Sequence, residues 1–254
     1  MQKTPFGIEM QIAVVTGAAA GNGKSIATGL ARAGARVVLA DKDKAGAVAA
    51  AKEIADEGYD AIGFGLDVSH KGSCDDLAAA VADTYGDTSI LVNNAGIVQR
   101  VGIAEENFLE SAERQYSVNA LGVVHMVRSL LPALQRTKGR IVNIGSIASV
   151  QATTGGIGYG MSKGAVLLAT KTLAVELADH GIRVNAIAPG IIETAMTVPT
   201  RANPEKAKGY TDRIPLKRFG QPDELVGPVL FLVSDQSSYV NGILLPVDGG
   251  YLAG

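Results

Sequence analysis

The stretch QIAVVTGAAAGNGKS, residues 11–25, decides the architecture. Its first five residues form a short, nearly unbroken apolar run. Such a run marks a strand buried on both faces, not one facing water on one side. Gly17, Gly21 and Gly23 follow with the spacing G-x-x-x-G-x-G. This is not the G-x-G-x-x-G fingerprint, but the physics is shared. Glycines let the backbone turn tightly and approach a diphosphate, and the helix that follows offers its free N-terminal amides. GKS at 23–25 is not a Walker loop, because the position that would need the partner glycine holds Ala18.

The same pattern repeats outward from this unit. Apolar runs at 35–40, 60–66, 89–94, 139–144, 182–188 and 242–247 read as further strands. Helical patterns lie between them, near 23–33, 43–57, 70–85, 104–135, 159–180 and 222–233. In the fifth, Val166, Ala169, Thr170, Leu173 and Leu177 recur at spacings of three or four. Strand–helix alternation predicts an α/β fold, a Rossmann-like doubly wound parallel sheet of about seven strands with helices on both faces. No internal repeat or composition break appears, so 1–254 reads as a single domain. The run 190–221, with Pro199, Pro204, Gly209, Pro215 and Gly220, reads as one long irregular segment. A segment of that length in a compact domain is usually a lid or binding loop.

Composition narrows the function classes. Hydrophobic residues make up 47% of the 254, ample for a core, and charged residues 19%. Net charge is −2 with no Lys/Arg block, which argues against a nucleic-acid partner. The N-terminus has no apolar h-region, and residues 141–163 are too polar for a membrane span. The one cysteine, Cys74, fits a reduced cytoplasmic setting and reads as a small packing residue. His70, His125 and His180 stand alone without metal-ligand spacing, so no metal site is expected.

Asp41 ends the second strand, 24 positions after Gly17. An acid there accepts hydrogen bonds from ribose hydroxyls and repels the extra phosphate of NADP, which favours NAD. Lys42, adjacent, would soften that preference.

Together these motifs resemble the short-chain dehydrogenase/reductase family along almost the whole chain. The matching segments are TGAAAGNG (16–23), LDV (66–68), NNAG (93–96), Asn119 in SVNALG and Ser146 in NIGS. They continue with YGMSK (159–163), RVNAIAPG (183–190) and VDGG (247–250). The 13-residue gap from Ser146 to Tyr159 matches as well. The resemblance implies a cofactor loop at 16–23 contributing Gly17, Asn22 and Gly23. It implies that Asp67 and Val68 border the adenine, and that Asn94 and Gly96 shape the adenosine pocket. Ile192 and Thr194, after Pro189, would hold the nicotinamide carboxamide. Asn22 is a departure, standing where the loop most often has isoleucine. The resemblance also implies a homotetramer or homodimer.

The catalytic segment is 146–163. Tyr159 and Lys163 sit at i and i+4, so on a helix they share a face. A nearby ammonium favours phenolate over phenol. Moving a tyrosine from about 10 toward 7 takes roughly 4 kcal/mol, at 1.36 kcal/mol per unit. Tyr159 would then act as general acid/base and Ser146 would orient the reacting oxygen. By the resemblance, Lys163 would also hold the nicotinamide ribose, and Asn119 would anchor a water in a proton relay. The substrate loop is 190–221. Ile97–Arg100, Ile147–Gly158 and Ile191–Arg213 would line the pocket, with Thr153 and Thr154 among the polar positions. That mixture suits a small polar alcohol, polyol or sugar, oxidised with NAD. Two alternatives remain: an NADPH-dependent reductase of 3-oxoacyl groups on acyl carrier protein, and a non-catalytic NAD(H)-binding sensor.

Overall fold

A computed structural model describes residues 5–152 and 156–254. Seven strands form one sheet: β1 (Ile12–Thr16), β2 (Arg36–Asp41), β3 (Ala61–Gly65), β4 (Thr88–Asn93), β5 (Arg140–Ile144), β6 (Arg183–Pro189) and β7 (Leu244–Val247). Every pairing is parallel, in the order β3-β2-β1-β4-β5-β6-β7. The order reverses between β1 and β4. In open α/β sheets the crevice outside the carboxyl ends of the strands at such a reversal binds ligands. The glycine loop follows β1 and the NNAG segment follows β4, so the reversal brings both to one edge.

Nine α-helices complete the described residues: α1 (Gly21–Arg32), α2 (Lys44–Asp56), α3 (Lys71–Thr84), α4 (Phe108–Tyr116), α5 (Gly122–Thr137), α6 (Ile157–Glu176), α7 (Val198–Arg201), α8 (Pro204–Arg213) and α9 (Val226–Val233). Successive strand residues face opposite layers, as the two-residue strand period requires. Ala13 and Val15 join Ile26 and Leu30 of α1, Ile54 of α2 and Val229 of α9 on one side. Ile12 and Val14 join Leu77 of α3, Met126 and Leu130 of α5 and Val166 of α6 on the other. Cys74 is buried in this second layer. Burial pushes its thiol up to about 11, and it serves packing.

The single helix read at 104–135 begins instead at Phe108 and divides at a π-helical turn, Ser117–Leu121. By length and composition, Phe108–Thr137 is apolar enough to cross a membrane. Its residues Val123, Met126, Val127, Leu130 and Leu134 are buried against the sheet, as in the core helix of a folded domain. The run read as irregular, 190–221, also differs. It contains α7, α8 and a 3-10 turn at Ala195–Thr197. Asn203 caps α8 by accepting from the Lys206 amide at 3.0 Å, and Pro204 occupies the first turn. The excursion is closed at its base. Ile192 bridges Gly220, the Glu193 amide donates to Gly220 O (2.8 Å), and the Gly220 amide donates to Ile191 O (2.9 Å). A small apolar cluster of Ile147, Ile214 and Tyr251 seats this lobe on the body of the protein.

Candidate active site

The glycine loop is held from beneath by groups it does not contain. Thr16, fully buried, accepts at its hydroxyl from the amides of Asn94 and Ala95, both at 3.0 Å. The Asn94 side-chain amide donates in return to Thr16 O and Gly17 O, both at 2.9 Å. This close stacking explains two glycines. Gly17 has φ +64°, and a Cβ there would lie 2.8 Å from Ala95 Cα. A Cβ on Gly23 would lie 2.2 Å from Gly17 O. Asn94 therefore braces the loop. Thr16 was not read from the sequence, since a lone threonine at a strand end carries no distinguishing pattern.

The loop's fit to a dinucleotide can be judged on its polar groups. α1 has no side-chain cap, and no acid stands in its first turn. Its first amides are thus free donors at the positive end of the helix. Asn22 keeps a buried Oδ1 without a partner. Free donors and an unsatisfied acceptor at one helix start are the complement of a diphosphate with its attached hydroxyls. Asp41 reaches the same place. Its Oδ2 accepts from the Ala19 amide and its Oδ1 from the Asp43 amide, each at 3.0 Å. A carboxylate retains acceptor capacity beyond these two bonds, so Asp41 both ties β2 to the loop and can receive a ribose diol.

Lys42 does not lie over Asp41. Its ammonium donates to Asp67 Oδ2 at 2.7 Å. Burial alone would raise the Asp67 pKa, but hydrogen bonds from Lys42 and Ser69 outweigh it and hold the carboxyl well below the usual range. Val68, beside it, is buried against Gly122.

The second group of residues gathers around β5. Ser146 follows β5 and opens a 3-10 turn, its Oγ accepting from the Ala148 amide at 3.0 Å. Ser146 lies close enough to Tyr159 for its hydroxyl to pull the phenol's pKa down. Tyr159 and Lys163 lie one turn apart on α6, with Lys163 Nζ 5.9 Å from the Tyr159 ring centroid. Lys163 is buried and donates to Ile144 O at 2.7 Å. Asn119 sits in the π-helical turn, a distortion common at functional sites. Both hydrogens of its Nδ2 are committed, to Ile97 O and Ser162 Oγ (2.9 Å each), and its Oδ1 accepts from the Ile97 amide at 2.8 Å. Its side chain thus pins the loop after β4 to α6.

The expected pKa shift of Tyr159 is corrected by this geometry. Burial is the largest influence and raises the phenol, while the Ser146 hydroxyl and the charge of Arg100 pull it back. Burial also pushes the Lys163 ammonium down to about 8. A low-dielectric site favours the neutral form of both partners. Lys163 does not by itself carry Tyr159 to neutrality.

Gly96 places the loop against the buried lysine: a Cβ there would stand 3.6 Å from Lys163 Nζ. Pro189 ends β6, and buried Ile192 and then Thr194 follow toward the glycine loop. The Thr194 methyl lies 3.3 Å from a Cβ built on Gly21. Thr153 and Thr154 lie outside the described residues.

Comparison with known proteins agrees with this construction. The family model described as enoyl-(acyl carrier protein) reductase matches residues 17–252. Galactitol 2-dehydrogenase (L-tagatose-forming) of Cereibacter sphaeroides is 38% identical, over 98% of this chain and 98% of its own. A 3-oxoacyl-[acyl-carrier-protein] reductase of Thermotoga maritima is 37% identical, over 96% of this chain and 98% of its own. A gluconate 5-dehydrogenase from Burkholderia cenocepacia, solved in complex with NADP and tartrate, superposes with a TM-score of 0.93. It is 33% identical, over 97% of this chain and 96% of that one. The chain belongs to the short-chain dehydrogenase/reductase family. It is accordingly an oxidoreductase acting on CH–OH groups, interconverting a secondary alcohol and its ketone.

Within that family two residues of this chain stand out: Gln115, which pattern reading passed over, and Arg100, which it placed only at the end of a pocket-lining stretch. Gln115, buried on α4, accepts at Oε1 from the Gln99 amide at 2.9 Å, and Ser111 Oγ donates to Gln99 Oε1 at 3.1 Å. Arg100, next in the loop, is the cation whose charge reaches Tyr159. Neither belongs to a motif. Their roles come from tertiary placement alone.

Proposed function

We propose that the protein is an NAD-dependent dehydrogenase of a small polar secondary alcohol, a polyol or a sugar, with Tyr159 as its acid/base. The observation that carries this reading is the joining of Ser146, Tyr159 and Lys163 at the carboxyl edge of β5, beside a glycine loop with free helix amides. A single domain, 1–254, holds all the parts.

Bound nicotinamide supplies the hydride acceptor. In the oxidative direction Tyr159 takes the proton from the substrate hydroxyl, and Ser146 hydrogen-bonds the same oxygen to fix its orientation. Lys163, which donates to Ile144 O, would also hold the nicotinamide ribose. Its positive charge then adds to that of the oxidised ring in favouring phenolate. Asn119 positions this assembly by holding residue 97 to α6. Gly17, Asn22 and Gly23 receive the diphosphate, and Asp41 receives the adenosine ribose. Asp67, Val68, Asn94 and Gly96 surround the adenosine. Pro189, Ile192 and Thr194 present the nicotinamide carboxamide. Asp41 supports NAD over NADP. The gluconate 5-dehydrogenase relative was solved with NADP, so the choice is to be measured with both.

Exposed apolar side chains on α4 to α6, among them Leu109, Leu121, Val124, Met161 and Leu168, support a homodimer or homotetramer built across these helices. A cytoplasmic location belongs to the same reading. Turnover of polyols, sugars, hydroxy acids and β-keto esters with NAD(H) and NADP(H) tests it. Preference for a β-keto thioester with NADPH would favour the 3-oxoacyl reductase alternative. Cofactor binding without turnover of any alcohol or ketone would favour the sensor.

A further inference from the structure

The loop leaving β4 carries a charge that the reaction above does not use. Its backbone is fixed at three successive places. Gly96 packs against Lys163, Ile97 exchanges both of its backbone hydrogen bonds with Asn119, and the Gln99 amide is held by buried Gln115. Gln115 in turn presses on the catalytic helix: a Cβ on Gly158 would lie 2.9 Å from Gln115 Nε2. The chain therefore runs outward from Lys163 along the mouth of the site, and Arg100 follows the last fixed residue, two links from Tyr159. Its guanidinium is exposed, and among the described residues neither a hydrogen bond nor an ion pair engages it.

Three of the acids near the mouth are occupied elsewhere. Glu105, on the same loop, accepts from the Gly102 amide at 2.6 Å. Glu193 pairs with Arg201 at 3.7 Å. Asp248 accepts from the amides of Gly250 and Leu252, both at 2.9 Å. Arg100 thus has no acid paired with it among the described residues, and its charge reaches Tyr159; a positive charge at a cleft draws in the opposite one. Guanidinium is also the side chain whose planar fork matches a carboxylate.

We propose that the alcohol substrate is a hydroxy acid, its carboxylate held by Arg100 while Tyr159 and Ser146 hold the reacting hydroxyl, with Gln115 as the positioning residue that presents Arg100. This rests on the dehydrogenase reading above and names its substrate class. The carboxylate takes no part in bond making. The hydroxyl proton still passes to Tyr159 and the hydride to the nicotinamide.

The test uses the full-length protein and matched pairs of C4–C6 aldonates and alditols of the same configuration. In the parent, kcat/KM should be higher for the aldonate. Arg100→Gln should lower the aldonate-to-alditol ratio about 10- to 100-fold, mainly through KM, the worth of a hydrogen-bonded charge pair. Arg100→Lys should restore part of that ratio, since charge returns without the fork. Gln115→Leu should lower the same ratio less, with secondary structure retained by circular dichroism. A second readout needs no turnover: D-gluconate binding by isothermal titration at fixed ionic strength, in the parent and in Arg100→Gln. Binding by the parent that is lost in the variant supports the proposal. Equal binding by both, no binding by the parent, or an unchanged ratio overturns it. Alditol turnover with no aldonate preference sinks this inference and leaves the dehydrogenase reading standing. Absence of all alcohol turnover, with gluconate binding still dependent on Arg100, sinks the dehydrogenase reading instead.

Discussion

The glycine-loop edge of the sheet and the 190–221 lobe lie on the same side of the molecule but are built in opposite ways. The first is fixed by contacts between backbones. Gly17 lies against Ala95, Gly23 against Gly17, and Thr16 and Asn94 lace the two strand ends together. The second is fixed at its base by the Ile192–Gly220 bridge and seated through the cluster of Ile147, Ile214 and Tyr251. No residue of α7 or α8 is buried. Where backbone meets backbone, only particular residues fit. Where side chains meet solvent, many do. On the reading proposed above, the first region would hold the cofactor that every substrate shares, and the second would help to distinguish one substrate from the next.

The largest effect expected separates chemistry from scaffold. Tyr159→Phe removes a hydroxyl and no packing surface. Turnover should fall by about 10³-fold or more, within the range of a lost acid/base group, while NAD affinity and melting temperature stay near the parent's. Steady-state kinetics and titration calorimetry measure both. Near-normal turnover would show that the phenol is not the acid/base.

Gly23→Ala strikes the tight region. Its Cβ has only 2.2 Å to Gly17 O, which is backbone and cannot swing aside. The protein should lose about 1–3 kcal/mol of stability and bind NAD weakly. Gly209→Ala, in the lobe, meets nothing within 4 Å and lies mid-helix. There alanine should stabilise by up to about 1 kcal/mol. Urea melts of the two variants that moved in the same direction would break the contrast.

Lys163 joins function to instability. The unfolded chain holds this proton to about 10.4, and burial lowers it in the folded protein to about 8. Between those values the unfolded state binds the extra proton, so this group makes stability rise with pH across the window. Below about pH 8 the buried charge costs stability in full. Lys163→Met should abolish turnover, weaken NAD binding and yet raise the midpoint of denaturation at pH 7, by an amount on the order of 1–3 kcal/mol. A variant less stable than the parent at pH 7 would mean that the bond to Ile144 O outweighs the desolvation cost.

A smaller change is expected at Asp41. Asp41→Ser should shift the NAD-to-NADP ratio of kcat/KM by about 10-fold, or roughly 1.4 kcal/mol, since it removes the repulsion of the extra phosphate. If the parent already prefers NADP, the selecting group lies elsewhere, and Lys42, now tied to Asp67, is the next to test.

All seven strands were legible because both faces of the sheet are covered, which forces continuous apolar runs. α8 was not, for the opposite reason. Without a buried residue it has no apolar stripe, and Pro204 and Gly209 read as breakers. The signals present were local and polar: Asn203 as cap, Pro204 in the first turn, and Lys208 paired with Asp212 one turn on. At the site, Ser146, Tyr159 and Lys163 could be read because their spacing is fixed by the secondary structure. Thr16 and Gln115 could not, and Arg100 could be read only as part of a lining stretch, without its reach to Tyr159. Each acts on a residue 15 or more positions away, across a contact that only the folded chain creates. The burial that raises the Tyr159 phenol was not legible, for the same reason. Helical spacing brings the lysine near, but the dielectric around the pair is a property of the whole fold.

The bridge between Ile192 and Gly220 has a consequence for engineering and for divergence. Two backbone hydrogen bonds pin both ends of the excursion at one point, so everything between them is a cassette with a fixed socket. Residues 195–219 can be replaced by the equivalent stretch of a relative, or lengthened, without altering the spacing of the ends or the strands beneath. Such exchanges should transplant substrate preference while leaving the cofactor untouched.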